Sequence, residues 1–215
     1  LISTLAERRK SATAILLRDQ PKLHSMGTPQ RSEGDGRLRG PLKRFVESLD
    51  RIRVPLSALE RESRSGPYPY YGASGVIDHV DSYLFHEPLV LVSEDGANLV
   101  NRSTPVAFEA SGKYWVNNHA HILKPRDGLT GYWARVIEDL DFRSVITGSA
   151  QPKLTIDALM NFPVSVPESV ATRERIHQGV LRIEKETETA VERGRMLVSF
   201  LRERRQALIS AAVTG

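Results

Sequence analysis

From Ile176 onward, apolar or small residues recur on alternating four- and three-residue steps: Ile176, Val180, Ile183, Ala190, Leu197, Leu201, Leu208 and Ala211, with Thr187, Gly194 and Arg204 in the gaps. That period is a heptad seam, the mark of a coiled-coil helix. Its flanks "RIEKETETAVERGR" and "LRERR" are charged, as a solvated face should be, and "VPES" supplies a start at Pro167 to Ser169. About forty residues rising 1.5 Å each give roughly 60 Å of helix. Such a helix cannot bury its seam alone. It needs a partner helix, with Ile176, Val180, Ile183, Leu197, Leu201 and Leu208 expected to carry the pairing.

The chain carries a second helical signal at its other end. "TLAERRKSATAILL" (4–17) aligns without gaps on "FLRERRQALISAAV" (200–213), matching Leu5 with Leu201, Glu7 with Glu203 and Arg8-Arg9 with Arg204-Arg205. Residues 1–17 are therefore expected to be the end of a long helix that repeats 200–213. Residues 18–50 contain a Gly-, Pro-, Ser- and charge-rich stretch and are expected to be a linker or mobile loop. From 51 to 166 short alternating runs ("VIDHV", "PLVLVS", "PVAFEA", "KYWVN", "HAHIL") are separated by "YGASG", "EDGAN" and "ASGK" turns. "GYWARVIEDL" and "LTIDALMNF" read as helices. The expected fold is α+β: a mainly-β domain with short helices at 51–166, then a long coiled-coil helix at 167–215. The first residue is Leu rather than Met, which fits a fragment, a processed product or an unusual start codon.

Composition narrows the function classes. No apolar stretch is long enough to cross a bilayer, and the absence of cysteine removes disulfides, thiolate metal sites and a cysteine nucleophile together. A soluble, cytoplasmic protein is expected. The net charge of +4 invites a nucleic-acid reading, but Lys and Arg exceed Asp and Glu by ten to six in residues 1–50 and nine to seven in 166–215, and trail eleven to thirteen in between. Bulk basicity therefore makes no case for nucleic-acid binding by the central domain.

The central residues leave three readings open. In "NNHAHILKP", His119 and His121 sit two apart on an expected strand and so project from one face, as metal ligands sometimes do. His79 and His86 would have to complete a site, and no HExxH motif supports one. A small metal-dependent nuclease or hydrolase would use these histidines with Asp78, Glu94 or Asp95. No GxSxG, phosphate-cradling GxxxxGK[ST] or GxGxxG motif is present. Against this stands a hydrogen-bonding surface. Tyr68, Tyr70, Tyr71, Ser74, Asn98, Asn101, Arg102, Asn117, Asn118, His119, His121, Ser149, Gln151 and Lys153 lie in or beside Gly-rich turns. Asn and Gln suit adenine, Arg or Lys suits guanine, and free amides suit phosphate. The third reading is a coiled-coil assembly protein whose globular part only packs.

"YPYYGASGVIDHVDSYLF", "VLVSEDGANLVNRSTPVAF", "GKYWVNNHAHIL", "TGSAQPKL" and "RERRQALISAAVTG" resemble the target-recognition domain and conserved long helix of type I restriction-modification specificity subunits, from about Val54 onward. A full-length subunit of that family carries two recognition domains, each followed by a long helix, and the helices pair antiparallel. This sequence has one domain, and so resembles a half subunit or the C-terminal half of a longer one. The resemblance implies a non-catalytic protein that reads one DNA half-site without metal or cofactor of its own. The implied partners are double-stranded DNA, modification subunits that methylate adenine with S-adenosylmethionine, ATP-dependent restriction subunits, and a second copy or other half of the specificity subunit.

Overall fold

The structure, a computed structural model, describes residues 36–148 and 151–214. The expected N-terminal repeat, residues 18–35 and Ser149 lie outside the described residues. In chain order the elements are β1 (Arg37–Pro41), β2 (Val46–Ser48), α1 (Ala58–Ser63), β3 (Ser65–Gly72), β4 (Gly75–Val80), β5 (Leu89–Ser93), α2 (Asn98–Asn101), β6 (Ala107–Ala110), β7 (Trp115–Val116), β8 (Ala120–Pro125), α3 (Thr130–Asp139), α4 (Ile156–Asn161), β9 (Pro163–Pro167) and α5 (Val170–Thr214), with 3-10 turns at Leu42–Arg44, Asp50–Ile52 and Phe142–Ser144. The fold is α+β, a strand-rich region followed by one long helix. The chain divides into two compact units, whose described parts are residues 36–174 and 175–214.

In the first unit, β5 reads LVLVS and is buried at all five positions, as an unbroken apolar run in a fully covered strand must be. It lies between β8 and β6 in an antiparallel sheet of order β2-β8-β5-β6. Leu89 and Leu91 of β5 join Ala120 and Ile122 of β8, Val116 of β7, Tyr114 and Phe85 in one core, with Tyr71 of β3 packed against it. That core links the four-stranded sheet to a second sheet of order β4-β3-β7. The amphipathic helix α3 packs on β5 and β6, burying Tyr132, Trp133, Val136 and Ile137.

Composition misreads two segments. Residues 37–50, expected as linker, form β1, β2 and 3-10 turns within the first unit. β1 pairs antiparallel with β9, from Arg37 opposite Pro167 to Pro41 opposite Pro163. A charged strand with a distant partner has no local signature. The segment "SGPYPYYG" is strand β3 despite two prolines. β7 pairs only with Tyr70 and Tyr71, so Pro67 and Pro69 face no strand on that side and need no donor there. Gly66 permits the bend, since a Cβ there would lie 2.4 Å from the Asp81 Cα.

The long helix begins at Val170, after Ser169, whose side chain accepts the Thr172 N–H at 3.3 Å; Pro167 instead ends β9. Its first turn belongs to the first unit. There Arg173 forms an ion pair with Asp127, the side chains only 7% and 11% exposed, and Asp127 also accepts the Trp133 indole N–H at 2.9 Å. In the second unit the seam is uneven. Val180 is buried, Ile176, Ile183, Thr187 and Gly194 are half-buried, and every residue from 195 to 213 is exposed, Leu197, Leu201 and Leu208 at 58%, 51% and 63%. Among the described residues, no helix is long and apolar enough to cross a membrane.

Asp127→Asn should leave Arg173 buried with a partner that no longer offsets its charge, and the expected loss of unfolding free energy is about 3 kcal/mol. Chemical denaturation followed by tryptophan fluorescence measures it. A loss under about 1 kcal/mol, within the range of an exposed pair, would contradict the assignment.

Candidate nucleic-acid interface

Four polar side chains converge where β5 ends and β8 begins. Asp50 comes from the second 3-10 turn, Arg53 follows that turn, Glu94 follows β5 and His121 lies on β8. Their side chains are 13%, 17%, 12% and 2% exposed. Arg53 donates to Glu94 at 2.7 Å and to the carbonyls of Asn118 and Ala120 at 3.2 and 2.9 Å. Asp50 accepts the Ile122 N–H at 2.8 Å and meets His121 Nδ1 at 2.6 Å, while His121 Nε2 meets the Leu154 carbonyl at 2.8 Å. Lys153 Nζ closes the group from outside, 3.0 Å from Glu94.

Around this group the loops are tied by backbone bonds. Thr147 and Lys153 exchange two, at 2.9 and 2.8 Å, making a small hairpin. Gly148 turns it with φ +82°, and a Cβ there would lie 2.4 Å from the Gln151 carbonyl oxygen. The Gly96 N–H bonds the Pro152 carbonyl, Leu154 N–H the Glu94 carbonyl, and Glu94 N–H the His119 carbonyl. Ser93 Oγ donates to the Ala73 carbonyl at 2.5 Å, and Asn117 N–H to the Tyr71 carbonyl at 2.9 Å. The β3–β4 turn, the β7–β8 turn, the segment after β5 and the 147–153 hairpin therefore meet at one end of the sheets.

The structure sorts the expected contact residues. Ser74, Asn118 and Gln151 are exposed at the tips of these loops, and Lys153 is half exposed. His119 is half exposed and bonds Asp95 through Nδ1 at 2.8 Å. Asn101 is exposed on α2, which follows Gly96. Tyr71 is half-buried between Phe108 and Tyr114. Others serve the fold. Tyr70 is fully buried, its hydroxyl accepting the Leu56 N–H; Asn117 is buried and accepts the His119 N–H; His121 is buried as described. Asn98 accepts the Thr104 N–H and organises its own loop. Arg102, in the left-handed region at φ 49°, donates to the Glu138 and Leu140 carbonyls at 2.5 Å each, satisfying the C-terminus of α3. Tyr68 lies three residues back along β3 from Tyr71, about 10 Å, and its ring meets Tyr83 instead.

The rival metal site is not assembled. His79 sits on β4, His86 is beside Tyr83, Asp78 bonds Arg61, and His121 has both nitrogens engaged. Among the described residues, no group of three or more His, Asp or Glu is placed to hold a metal ion. Asp50 and Arg53 went unnoticed in the sequence because they stand at the margin of a segment that reads as linker.

The family model described as the type I restriction modification DNA specificity domain matches residues 42–193, most of the chain. The chain belongs to this family. A putative type I restriction enzyme specificity subunit of Haemophilus influenzae is 32% identical over 129 residues, covering 59% of this chain and 32% of that protein. The crystal structure of a type I restriction-modification S subunit from M. genitalium superposes on 89% of this chain and 50% of its own at TM-score 0.62 and 11% identity. The HsdS subunit of Thermoanaerobacter tengcongensis covers 89% and 48% at TM-score 0.50 and 16% identity. These structures share the fold. The chain spans about a third of the curated relative and about half of each solved subunit.

Within this specificity-domain fold the buried carboxylates carry a pH signature. Burial alone raises Asp50, but its hydrogen bond to His121, the charge of that ring, the Ile122 amide and Arg53 bring it below the ordinary 3.8. Burial likewise raises Glu94, and hydrogen bonds from Arg53 and Lys153, then the charges of His121 and Arg53, bring it below 4.5. Both hold protons less readily folded than unfolded. Their stabilisation is therefore full above the unfolded values and is lost as pH falls through the lower folded ones. Denaturant titrations from pH 6 downward should show stability falling as pH drops through about 4.5, with a shallower slope in the double variant Asp50→Asn, Glu94→Gln. Equal slopes would remove these two groups from the acid response.

Proposed function

We propose that this chain is the sequence-reading part of a type I restriction-modification complex, recognising one half-site of a bipartite DNA target. In that role it does no chemistry itself and acts in the cytoplasm. S-adenosylmethionine and ATP are bound by the modification and restriction subunits that it brings to the site. The observation that carries the proposal is the gathering of Ser74, Asn118 and Gln151, all exposed, with half-exposed Lys153, on loops that bond to one another at one end of the sheets. Family membership supplies the context. Asn and Gln amides present paired donor and acceptor groups that match adenine N6 and N7 in the major groove. Because the central residues are not net basic, affinity must lean on such directional contacts more than on bulk charge.

Selection from a randomised duplex pool by the full chain with its modification subunits tests this. One bipartite motif should be enriched. Gln151→Ala or Asn118→Ala should each relax one or two positions of one half-site, at a cost of about 1–3 kcal/mol for a lost bidentate contact. The dependence of binding on salt should stay unchanged. Enrichment of no motif by the wild-type complex would contradict the role, and unaltered motifs in both variants would contradict the loops.

The exposed turns of the long helix support a second partner. Leaving Leu197, Leu201 and Leu208 in water forgoes roughly 1.5–3 kcal/mol for each side chain that could be buried. The occupant we propose is the matching helix of a second copy or of the other half of a longer subunit, paired antiparallel about a two-fold axis. The purified chain should self-associate in light scattering, and Leu197→Glu with Leu201→Glu should yield a monomer whose first unit remains folded. A wild-type monomer at micromolar concentration, its helix intact by circular dichroism, would overturn this pairing.

A further inference from the structure

Three places outside the exposed loop tips hold unexplained chemistry: the surface cluster of Tyr68, Tyr83, His86 and Lys113; the ion pair of Arg173 with Asp127; and the buried group of Asp50, Arg53, Glu94 and His121. The first has no visible occupant, and the second is accounted for by anchoring the first turn of α5. The third reaches the candidate interface from beneath, and its outward bonds end at the segments that carry or adjoin the exposed loop tips.

Three side chains of this group, Arg53, Glu94 and His121, direct bonds at segments that carry or adjoin candidate reading residues. His121 does not bond its own sheet through Nε2 but reaches across to the Leu154 carbonyl, one residue beyond the 147–153 hairpin. Arg53 Nη1, which donates to Glu94, also reaches the carbonyls of Asn118 and Ala120, at the turn that carries Asn118 and His119. Glu94 joins the two branches, accepting from Arg53 on one oxygen and meeting Lys153 Nζ on the other. Asp50 ties the branches to one short segment, since it bonds His121 and lies 3.3 Å from Arg53. One buried ion group thus sets the height of the Gln151 hairpin and the Asn118 turn relative to each other. Bidentate base recognition tolerates little displacement, so the relative position of two tips is itself a determinant of specificity.

We infer that Asp50 and His121 are positioning residues for sequence discrimination, acting through the Leu154 carbonyl on the hairpin that presents Gln151 and, with Arg53, on the turn that presents Asn118. They touch no base. This rests on the reading of the loops as a DNA interface, yet the placement of the hairpin can be measured without DNA.

The test uses the full chain with its modification subunits and the variants His121→Gln, Asp50→Asn and Lys153→Met, with Asp127→Asn as a control that weakens the same unit elsewhere. Hydrogen exchange comes first. Asp50→Asn and His121→Gln should speed exchange at the Gly96, Lys153 and Leu154 amides at least tenfold, while the Val164 and Val166 amides of β9 keep the wild-type rate. Unchanged exchange at the hairpin overturns the inference whatever the protein does with DNA. Binding to the selected target and its single-base variants comes second. His121→Gln should lower discrimination tenfold or more at the positions that Gln151→Ala affects, at unchanged salt dependence, and adding it to Gln151→Ala should cost no more than Gln151→Ala alone. The control should keep wild-type discrimination. Should His121→Gln fail to fold, Lys153→Met cuts the relay at its half-exposed end and should reproduce a smaller loss at the same positions. Additive losses, or discrimination kept in both His121→Gln and Lys153→Met, overturn the inference. A wild-type complex with no preferred sequence sinks the interface reading instead, and the exchange rates alone then decide whether the buried group positions the hairpin.

Discussion

A guanidinium, two carboxylates and an imidazole, each less than a fifth exposed, share the end of the central sheet. Removing any one from water costs several kcal/mol, a cost that mutual attraction offsets only where geometry is good and remaining donors and acceptors are filled. Here they are filled. Arg53 uses carbonyls as well as Glu94, Asp50 takes a backbone amide as well as His121, and the second nitrogen of His121 takes a carbonyl. Each of those extra partners belongs to a loop or to the strand that launches one. Compensation of buried charge and fixation of the loops are therefore one arrangement, and neither could be loosened alone.

Above that foundation, Ser74, Asn118 and Gln151 give no side-chain hydrogen bond to another described residue that the fold requires. Side chains free of structural duty can change without a folding penalty, whereas Asn117, Tyr70, Arg102 and His121 cannot, since each satisfies a buried or terminal backbone group. The division suits the proposed role, in which the side chains that would meet DNA are separate from those that hold the fold.

Much of this was legible. The heptad steps marked the long helix, short apolar-rich runs between turn signals marked β4, β5, β6 and β8, and the amphipathic "GYWARVIEDL" marked α3. What escaped depends on partners far along the chain. β1 reads as charged linker until β9, some 128 residues later, supplies its hydrogen bonds. The polar loop residues were visible as a set, but composition cannot separate an Asn whose amide is exposed from one whose amide holds up a turn. Asn118 and Asn117 are adjacent and opposite in this respect. His119 and His121 looked like a ligand pair on one face. A strand that starts only at Ala120 leaves His119 in the turn with Asp95, while His121 goes inside to Asp50.

Mapping modified bases across the genome of a host that expresses this chain with its modification subunits tests the central claim most directly. A DNA-reading subunit predicts adenine methylation confined to a single bipartite motif, absent when the chain is omitted. Methylation that is unchanged without the chain, or spread over adenines with no common sequence, would contradict it.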